Sequence, residues 1–441
     1  MPQPPTMNEF VGSISQKIPA TNAKWEIFAL RRKVYAVEGK DLKVNREKNA
    51  LKDFFAIRVI KNHRAGTSTC SQIEQIPEAF QKALNIAEIT EPDECLSLPL
   101  PSQTQSVKVF DENLCSIATF LPDLLINMQR AAFYDKRVKK LRNAEITITV
   151  DEKAILNSEG LLCSQPFTSI SAHMIAIAED EDQQMGWAYT SERFLKNLQV
   201  ENIGKEAASK AIRLLNSKKI KSFKGMVLFD PYVAGEFVEL ISQSLSGENY
   251  LLGRSIFSGK MGEKVINEKL DILDDGTIPE RFGSTPFDAE GVPTSKKILI
   301  QKGRLSLIMH NTYTANRTKM ISTGNAVRTE RGITVGPTNL YIDTEEAKLP
   351  PDELIREIER GIYVIEVMGM HTANPVSGDF SVGISGIYIE KGEMKYPVRE
   401  TVISGNLLQL FQNIVALGTD LHFYGNIGSP TLLVEGIDIS G

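Results

Sequence analysis

The chain has 441 residues, 42% hydrophobic and 24% charged, which suits a globular protein of two or three domains with a large buried core. A net charge of −5 argues against a dedicated nucleic-acid binder, and the basic runs 136–142 and 218–224 are short enough to be solvated helix ends or loops. Cys70, Cys95, Cys115 and Cys163 form no C-x-x-C pair, which fits a reducing compartment; no signal peptide or long apolar run is visible, so the expected location is cytoplasmic, without a membrane partner.

In chain order, residues 8–18 have amphipathic helical spacing, and 25–37 and 54–60 carry the β-branched and aromatic content of strands. Residues 71–86 return to helical spacing. The prolines within 92–101 break the pattern and give a sub-boundary near 92–105. Asp111-Glu112 opens a helix with Leu114, Ile117, Leu121, Leu124 and Leu125 on one side, which Pro122 should kink or split. Strands are predicted at 144–150 and 168–178, the second largely alternating, and a helix over 202–217. The first part, 1–223, therefore reads as an α+β domain with an antiparallel sheet and separate helices. From residue 224 the character changes. Residues 225–229 are a buried-type strand, Asp230-Pro231 caps the helix after it, and beyond Gly253 short strands and glycine turns dominate. Helices recur only at 351–360 and 406–417, so 224–441 is expected to be a large, mostly-β domain.

Residues 371–386 are small and polar for longer than a turn needs, then pass into an alternating Ile-Tyr-Ile strand at 387–389. Such composition suggests backbone packed close to something, or a polar cleft floor. An extended peptide adding a strand at 387–389 is one use of it. A second polar block, 311–328, carries Arg317 and Arg328, whose guanidinium forks suit a peptide carboxylate, a neighbouring loop or a structural salt bridge. The run 253–260 fails as a phosphate loop: five residues separate its glycines, and Met261 stands where Ser or Thr would hold magnesium. No two of His63, His173, His310, His371 and His422 have the close spacing of metal ligands. A metal site would have to be built from His310, His371, His422, Asp379 and Asp420.

Taken in order, Thr285-Pro-Phe-Asp-Ala-Glu-Gly291, Thr323-Gly-Asn325, Ser377-Gly-Asp-Phe-Ser381, Ile403-Ser-Gly-Asn406 and 428–434 resemble blocks of the TldD/PmbA family of metalloproteases and their partners. The resemblance implies a two-domain α+β fold, a dimer enclosing a chamber for unfolded peptides, and zinc in the active subunit. There a His-Glu-x-x-x-His helix and a cysteine near the C-terminus ligate the metal, with the glutamate as general base. Carried over on Leu245, Gly247 and Glu248, the histidine positions fall on Val238 and Gln243, the glutamate on Glu239 and the cysteine on Asp420. Valine has no lone pair and glutamine is a poor zinc ligand, so the chain resembles the PmbA (TldE) subunit rather than TldD. The implied reading is a non-catalytic subunit with no cofactor of its own. It would form a homodimer, or a heterodimer with a zinc-bearing TldD-like partner, and bind no nucleic acid directly.

The chamber wall would offer Arg317, Arg328, His371, Asn374, Ser377, Gly378, Asp379 and Ser381 to a peptide. Glu239 alone is more often a solvated helix residue than a base, because a base needs a polarised water. Two alternatives stand. One is an autonomous metallopeptidase built on His310, His371, His422, Asp379 and Asp420; the other is a non-proteolytic modulator of a partner such as DNA gyrase.

Overall fold

The computed structural model describes residues 7–329 and 332–441, the side chain of Asn8 excepted. The architecture is α+β. The first sheet consists of β1 (Lys24–Lys40), β2 (Lys43–Lys61), β3 (Arg64–Cys70), β4 (Val138–Asn157), β5 (Leu162–Glu179) and β6 (Gln183–Glu192). Its order is β3-β2-β1-β4-β5-β6, antiparallel throughout. Helices α1 (Met7–Ser15), α2 (Ile76–Ile89), α3 (Glu112–Ser116), α4 (Leu121–Ala132) and α5 (Val200–Arg213) accompany it.

Alternation decides which face the helices cover. On β5, Ile170, Ala172, Met174 and Ala176 are buried in one cluster with Leu125 and Met128 of α4 and Ile203 and Ala207 of α5. On β1 and β2, Ile27, Ala29, Phe55 and Ile57 are buried in another with Phe80 and Ala83 of α2. The opposite face, with Ser169, Ser171 and His173 of β5, is left to the rest of the chain. Packing on the covered side is close. A Cβ at Gly204 of α5 would run into the Met128 carbonyl of α4, and one at Gly186 of β6 into the backbone of α5.

The remaining strands are β7 (Phe223–Phe229), β8 (Leu270–Asp275), β9 (Lys296–Gln301), β10 (Arg304–Leu305), β11 (Ala326–Thr329), β12 (Gly332–Val335), β13 (Leu340–Thr344), β14 (Arg360–Met368), β15 (Asp379–Glu390), β16 (Glu393–Asn406), β17 (Ile414–Leu417), β18 (His422–Tyr424), β19 (Ile427–Ser429) and β20 (Leu432–Ser440). One sheet runs β16-β15-β14-β7-β20-β17, and β16 also pairs with β20, which closes it into a small barrel. Another runs β10-β9-β8-β13-β19-β18, and β11 and β12 form a separate ribbon. Helix α6 (Pro231–Ser244) lies between the two larger sheets. Its Val233, Phe237, Val238 and Ile241 share a core with Val364, Ile384 and Val434 of the barrel and Ile272, Leu340 and Ile427 of the other sheet. Short helices α7 (Gly247–Leu251), α8 (Thr312–Thr318), α9 (Pro351–Arg356) and α10 (Leu407–Gln412) complete the fold.

Pro122 does split the helical region that opens at Asp111: it sits in the first turn of α4, after a 3-10 turn that follows α3. The edge strands β3 and β6 escape periodicity because one flank of each is unpaired and their polar residues alternate weakly. Helix α8 also escapes it, being only two turns long; its signal is a capping box, in which Thr314 N–H donates to the Asn311 side chain and Thr314 Oγ1 accepts from Asn311 N–H. The irregular stretch 92–105 is a strap held to α8: Tyr313 donates to Asp93 at 2.8 Å, and Asn316 Nδ2 to the Cys95 carbonyl at 2.8 Å. Among the described residues, no helix is long and apolar enough to cross a membrane.

Candidate functional site

The open face of the first sheet meets α6 across a cleft of about 440 Å³. Asp230 starts α6 by accepting from the Tyr232 amide at 3.0 Å, with Pro231 in the first turn. The apolar stripe of α6 turns to the core, which leaves Tyr232, Glu236 and Glu239, at spacings of four and three, facing the cleft. Opposite them stand His173 and Ile175 of β5 and Trp187 and Tyr189 of β6, with Tyr424 and Ile427 closing the end. Three rings form an edge-to-face set: Tyr232 lies 4.6 Å from Trp187 and 5.1 Å from Tyr424. Trp187 is fixed by donating its indole N–H to Glu366 at 2.8 Å.

Three carboxylates gather around these rings. Tyr232 donates to Glu236 Oε1 at 3.4 Å, while Glu236 Oε2 is buried without a partner. Burial, reinforced by the charges of Glu239 and Glu366, pushes the Glu236 carboxyl up to about 7. Near neutrality it is therefore a mixture of donor and acceptor, in a pocket whose other polar lining groups include Glu239, His173 and the tyrosine hydroxyls. Its signal in the sequence is the Tyr232-x-x-x-Glu236-x-x-Glu239 polar stripe opposite an apolar one.

The residues at the implied zinc positions do not fit a zinc ion. Val238 is wholly buried in the core, whereas Gln243 is exposed on a different face of α6. Residues five apart on a helix stand about 140° apart. Asp420 is engaged elsewhere, accepting from the Thr431 amide at 3.0 Å and from its hydroxyl at 2.6 Å. Glu239 is exposed and lines the cleft.

Nor does the structure assemble the alternative metal set. His310 is buried, with Nδ1 3.1 Å from Thr314 Oγ1, and burial lowers its imidazole to about 4. His371 is exposed on a turn, His422 packs on Tyr424 at 4.5 Å, and Asp379 accepts from Asn406 at 2.9 Å. Among the described residues no three His, Cys, Asp or Glu side chains converge to hold a metal ion.

The 371–386 segment is braced by its own chain. Asn374 Oδ1 accepts from the amides of Val376 and Ser377, and the Gly378 amide donates to the Asn374 carbonyl at 2.8 Å. Gly378 sits at φ +82°, a conformation glycine adopts without strain. Asn406 Nδ2 donates to the Ser377 carbonyl, and Ser244 Oγ at the end of α6 to the Pro375 carbonyl at 3.3 Å. His371, Asn374, Ser377, Asp379 and Ser381 are exposed, but with Gly378 and Arg317 they lie outside the α6 cleft. Strand addition at 387–389 is excluded, because Ile387, Tyr388 and Ile389 pair with β14 on one side and β16 on the other.

Arg317 is exposed on α8; the Asp93 carboxyl is held below its ordinary value first by the Cys95 amide and the Tyr313 hydroxyl, with a smaller contribution from the charge of Arg317. Arg328 is the structural salt bridge. Its Nη2 donates to Glu26 at 2.8 Å, and Glu26 also accepts from Arg58 at 2.9 Å. Arg58 in turn reaches Glu290 at 3.0 Å, completing a buried quartet that ties β1 and β2 to the C-terminal half.

Compared with known proteins, residues 222–441 match the family model of the PmbA/TldA metallopeptidase C-terminal domain, and residues 117–215 that of its central domain. Metalloprotease PmbA of Escherichia coli O157:H7 is 29% identical over 395 residues, 87% of this chain and 85% of its own length. Among solved structures, TldE from Thermococcus kodakarensis is 26% identical with a TM-score of 0.87, covering 99% of this chain and 100% of its own. A Thermotoga maritima protein described as a candidate modulator of a DNA gyrase is 28% identical with a TM-score of 0.90, over 99% of this chain and 100% of its own.

Proposed function

We infer that this chain, which belongs to the TldD/PmbA metallopeptidase family, is a PmbA/TldE-like subunit that encloses unfolded peptides and leaves hydrolysis to a zinc-bearing, TldD-like partner. The observation that carries this reading is the donor set on α6 and at Asp420. A core valine, an exposed glutamine and a carboxylate already bonded to Thr431 offer zinc no shared corner. Without a metal to polarise water, Glu239 lacks the means to act as a general base. What the cleft does offer is an aromatic wall and polar strand faces, suited to holding peptide rather than cutting it.

The test is a peptidase assay of the purified chain, alone and mixed with a TldD-like subunit, with zinc content measured in parallel. Activity confined to the mixture, with zinc in the partner only, is the expected result. Stoichiometric zinc in this chain, with peptidase activity lost in His371→Ala, would overturn it.

A further inference from the structure

We propose that the same interdomain cleft ends in a carboxylate-binding site, formed by Lys153 and Arg193, that anchors the C-terminal carboxylate of a bound peptide. This rests on the reading of the cleft as a peptide-holding surface.

Beyond Tyr189, which lines both parts, the cleft widens into a second pocket of about 650 Å³ between the open face of the first sheet and loops of the C-terminal half. Five cations come to this region, and three are matched. Arg32 makes a two-point contact with Asp151 at 2.7 and 2.6 Å, and Arg58 and Arg328 belong to the quartet with Glu26 and Glu290. Lys153 and Arg193 are not matched. Among the described residues neither has a carboxylate within salt-bridge distance. Lys153 Nζ lies 4.6 Å from the centre of the Phe167 ring, and the Arg193 guanidinium lies 5.2 Å from the same ring and 5.2 Å from Phe282. Arg193 gives one N–H to the Thr168 carbonyl at 3.1 Å, and its Nε is buried with no partner, as are those of Arg58 and Arg328; what sets Arg193 apart is the lack of a carboxylate. Ser169 and Ser171 stand on the same open face of β5 as Phe167.

Two cations converging on one ring, half-buried and without a counter-charge, are costly unless an anion joins them. The walls limit which anion. Asp151 is already matched by Arg32, and Asp288, which burial and then Glu290 raise to about 7, offsets part of the charge of the pair, so a single-charged carboxylate fits better than a phosphate dianion. The aromatic floor suits an apolar residue carrying that carboxylate. From Phe167 to His173 along β5 is six residues, about 20 Å of strand. A peptide anchored at Lys153 and Arg193 therefore has room for about six extended residues before it reaches α6.

The experiment uses this chain alone, so it does not depend on hydrolysis by a partner. Fluorescence anisotropy is read with an N-terminally labelled octapeptide of apolar and uncharged residues, as the free acid, as the C-terminal amide, and as an amide with one internal glutamate. The free acid is expected to bind at least tenfold more tightly than either amide, with acetate competing better than inorganic phosphate. Lys153→Met and Arg193→Met should each abolish the preference for the acid, and Arg193→Lys should retain part of it. Equal binding of acid and amide, binding of neither, stronger competition by phosphate, or an acid preference that survives both methionine variants would each overturn the proposal. A preference for the glutamate-bearing amide would overturn the terminal assignment. An acid preference in this chain, with no activity in the mixed peptidase assay, would sink the partner reading and leave the anchor standing.

Discussion

Two clusters of charge face the same side of the first sheet, and they are built on opposite plans. Glu26, Arg58, Glu290 and Arg328 sum to zero, and each donor meets a carboxylate at 3.0 Å or closer. Lys153 and Arg193 sum to plus two, and among the described residues they meet rings and one carbonyl but no carboxylate. Burial lowers the Lys153 ammonium to about 8 and the Arg193 guanidinium to about 10, and Arg193 further lowers Lys153. Within the quartet the two glutamates raise the Arg58 guanidinium above its ordinary value despite its burial, while burial still lowers Arg328. The difference separates architecture from site. A charge removed from water is held either by a partner within the chain or at a free-energy cost that a ligand can relieve.

The largest effect should come from breaking the balanced cluster. Arg58→Met leaves Glu26 with Arg328 alone and strips Glu290 of its cation, so urea unfolding should show a loss of about 3–5 kcal/mol. Adding Glu290→Gln to that variant should cost much less than it does in the native chain, because the charge left behind is then removed. A loss below about 1 kcal/mol for Arg58→Met would mean the quartet is solvated and does not join the two halves.

A smaller and pH-dependent effect belongs to the α6 end of the cleft, where the unbalanced charge is negative. Glu236 has an ordinary value near 4.5 and a folded value of about 7, set first by burial and then by Glu239 and Glu366. Between those values the folded chain keeps a proton that the unfolded chain has lost. Stability therefore falls as pH rises through that window, and the loss is complete above about 7. Glu236→Gln should match the native chain at pH 4 and exceed it at pH 8 by about 1–2 kcal/mol, allowing for solvent screening. Denaturant curves at the two pH values check it; equal gains at both would place the effect in packing rather than charge.

What could be read in the sequence follows from how local each feature is. The stripe of α6, its Asp230-Pro231 start and the alternation of β5 are set by neighbours within a few residues, and all are present in the fold. The role of Arg328 was undecidable because its partner Glu26 lies 302 residues away. Lys153 and Arg193 were invisible for the same reason: one lies within the last few pairs of β4, the other follows β6, and only antiparallel pairing sets them over one ring. The 371–386 segment shows the converse limit. Asparagines, serines and glycines that brace a turn have the same composition as those that bind a ligand, and here they bond to Asn374, Asn406 and Ser244.

The smallest effect tests the unbalanced pair without any peptide. Lys153 is faced by Arg193 and Arg32, which lower it, and by Asp151 and Asp288, which raise it, with burial the largest influence. Its ordinary value is 10.5 and its folded value about 8, so between the two the unfolded chain binds the extra proton. Stability then rises with pH across that window, and below about 8 the charged ammonium carries its full burial cost. Lys153→Met keeps the aliphatic bulk and removes the charge. It should gain on the order of 1 kcal/mol at pH 7, and that gain should shrink toward zero as pH approaches 10.5. A gain that stays level with pH would show the ammonium to be solvated, and the contrast with the quartet would fail. A gain that shrinks as described, and that carboxylate-bearing peptide reverses at pH 7, would show that this chain keeps two cations unpaired to receive an anion.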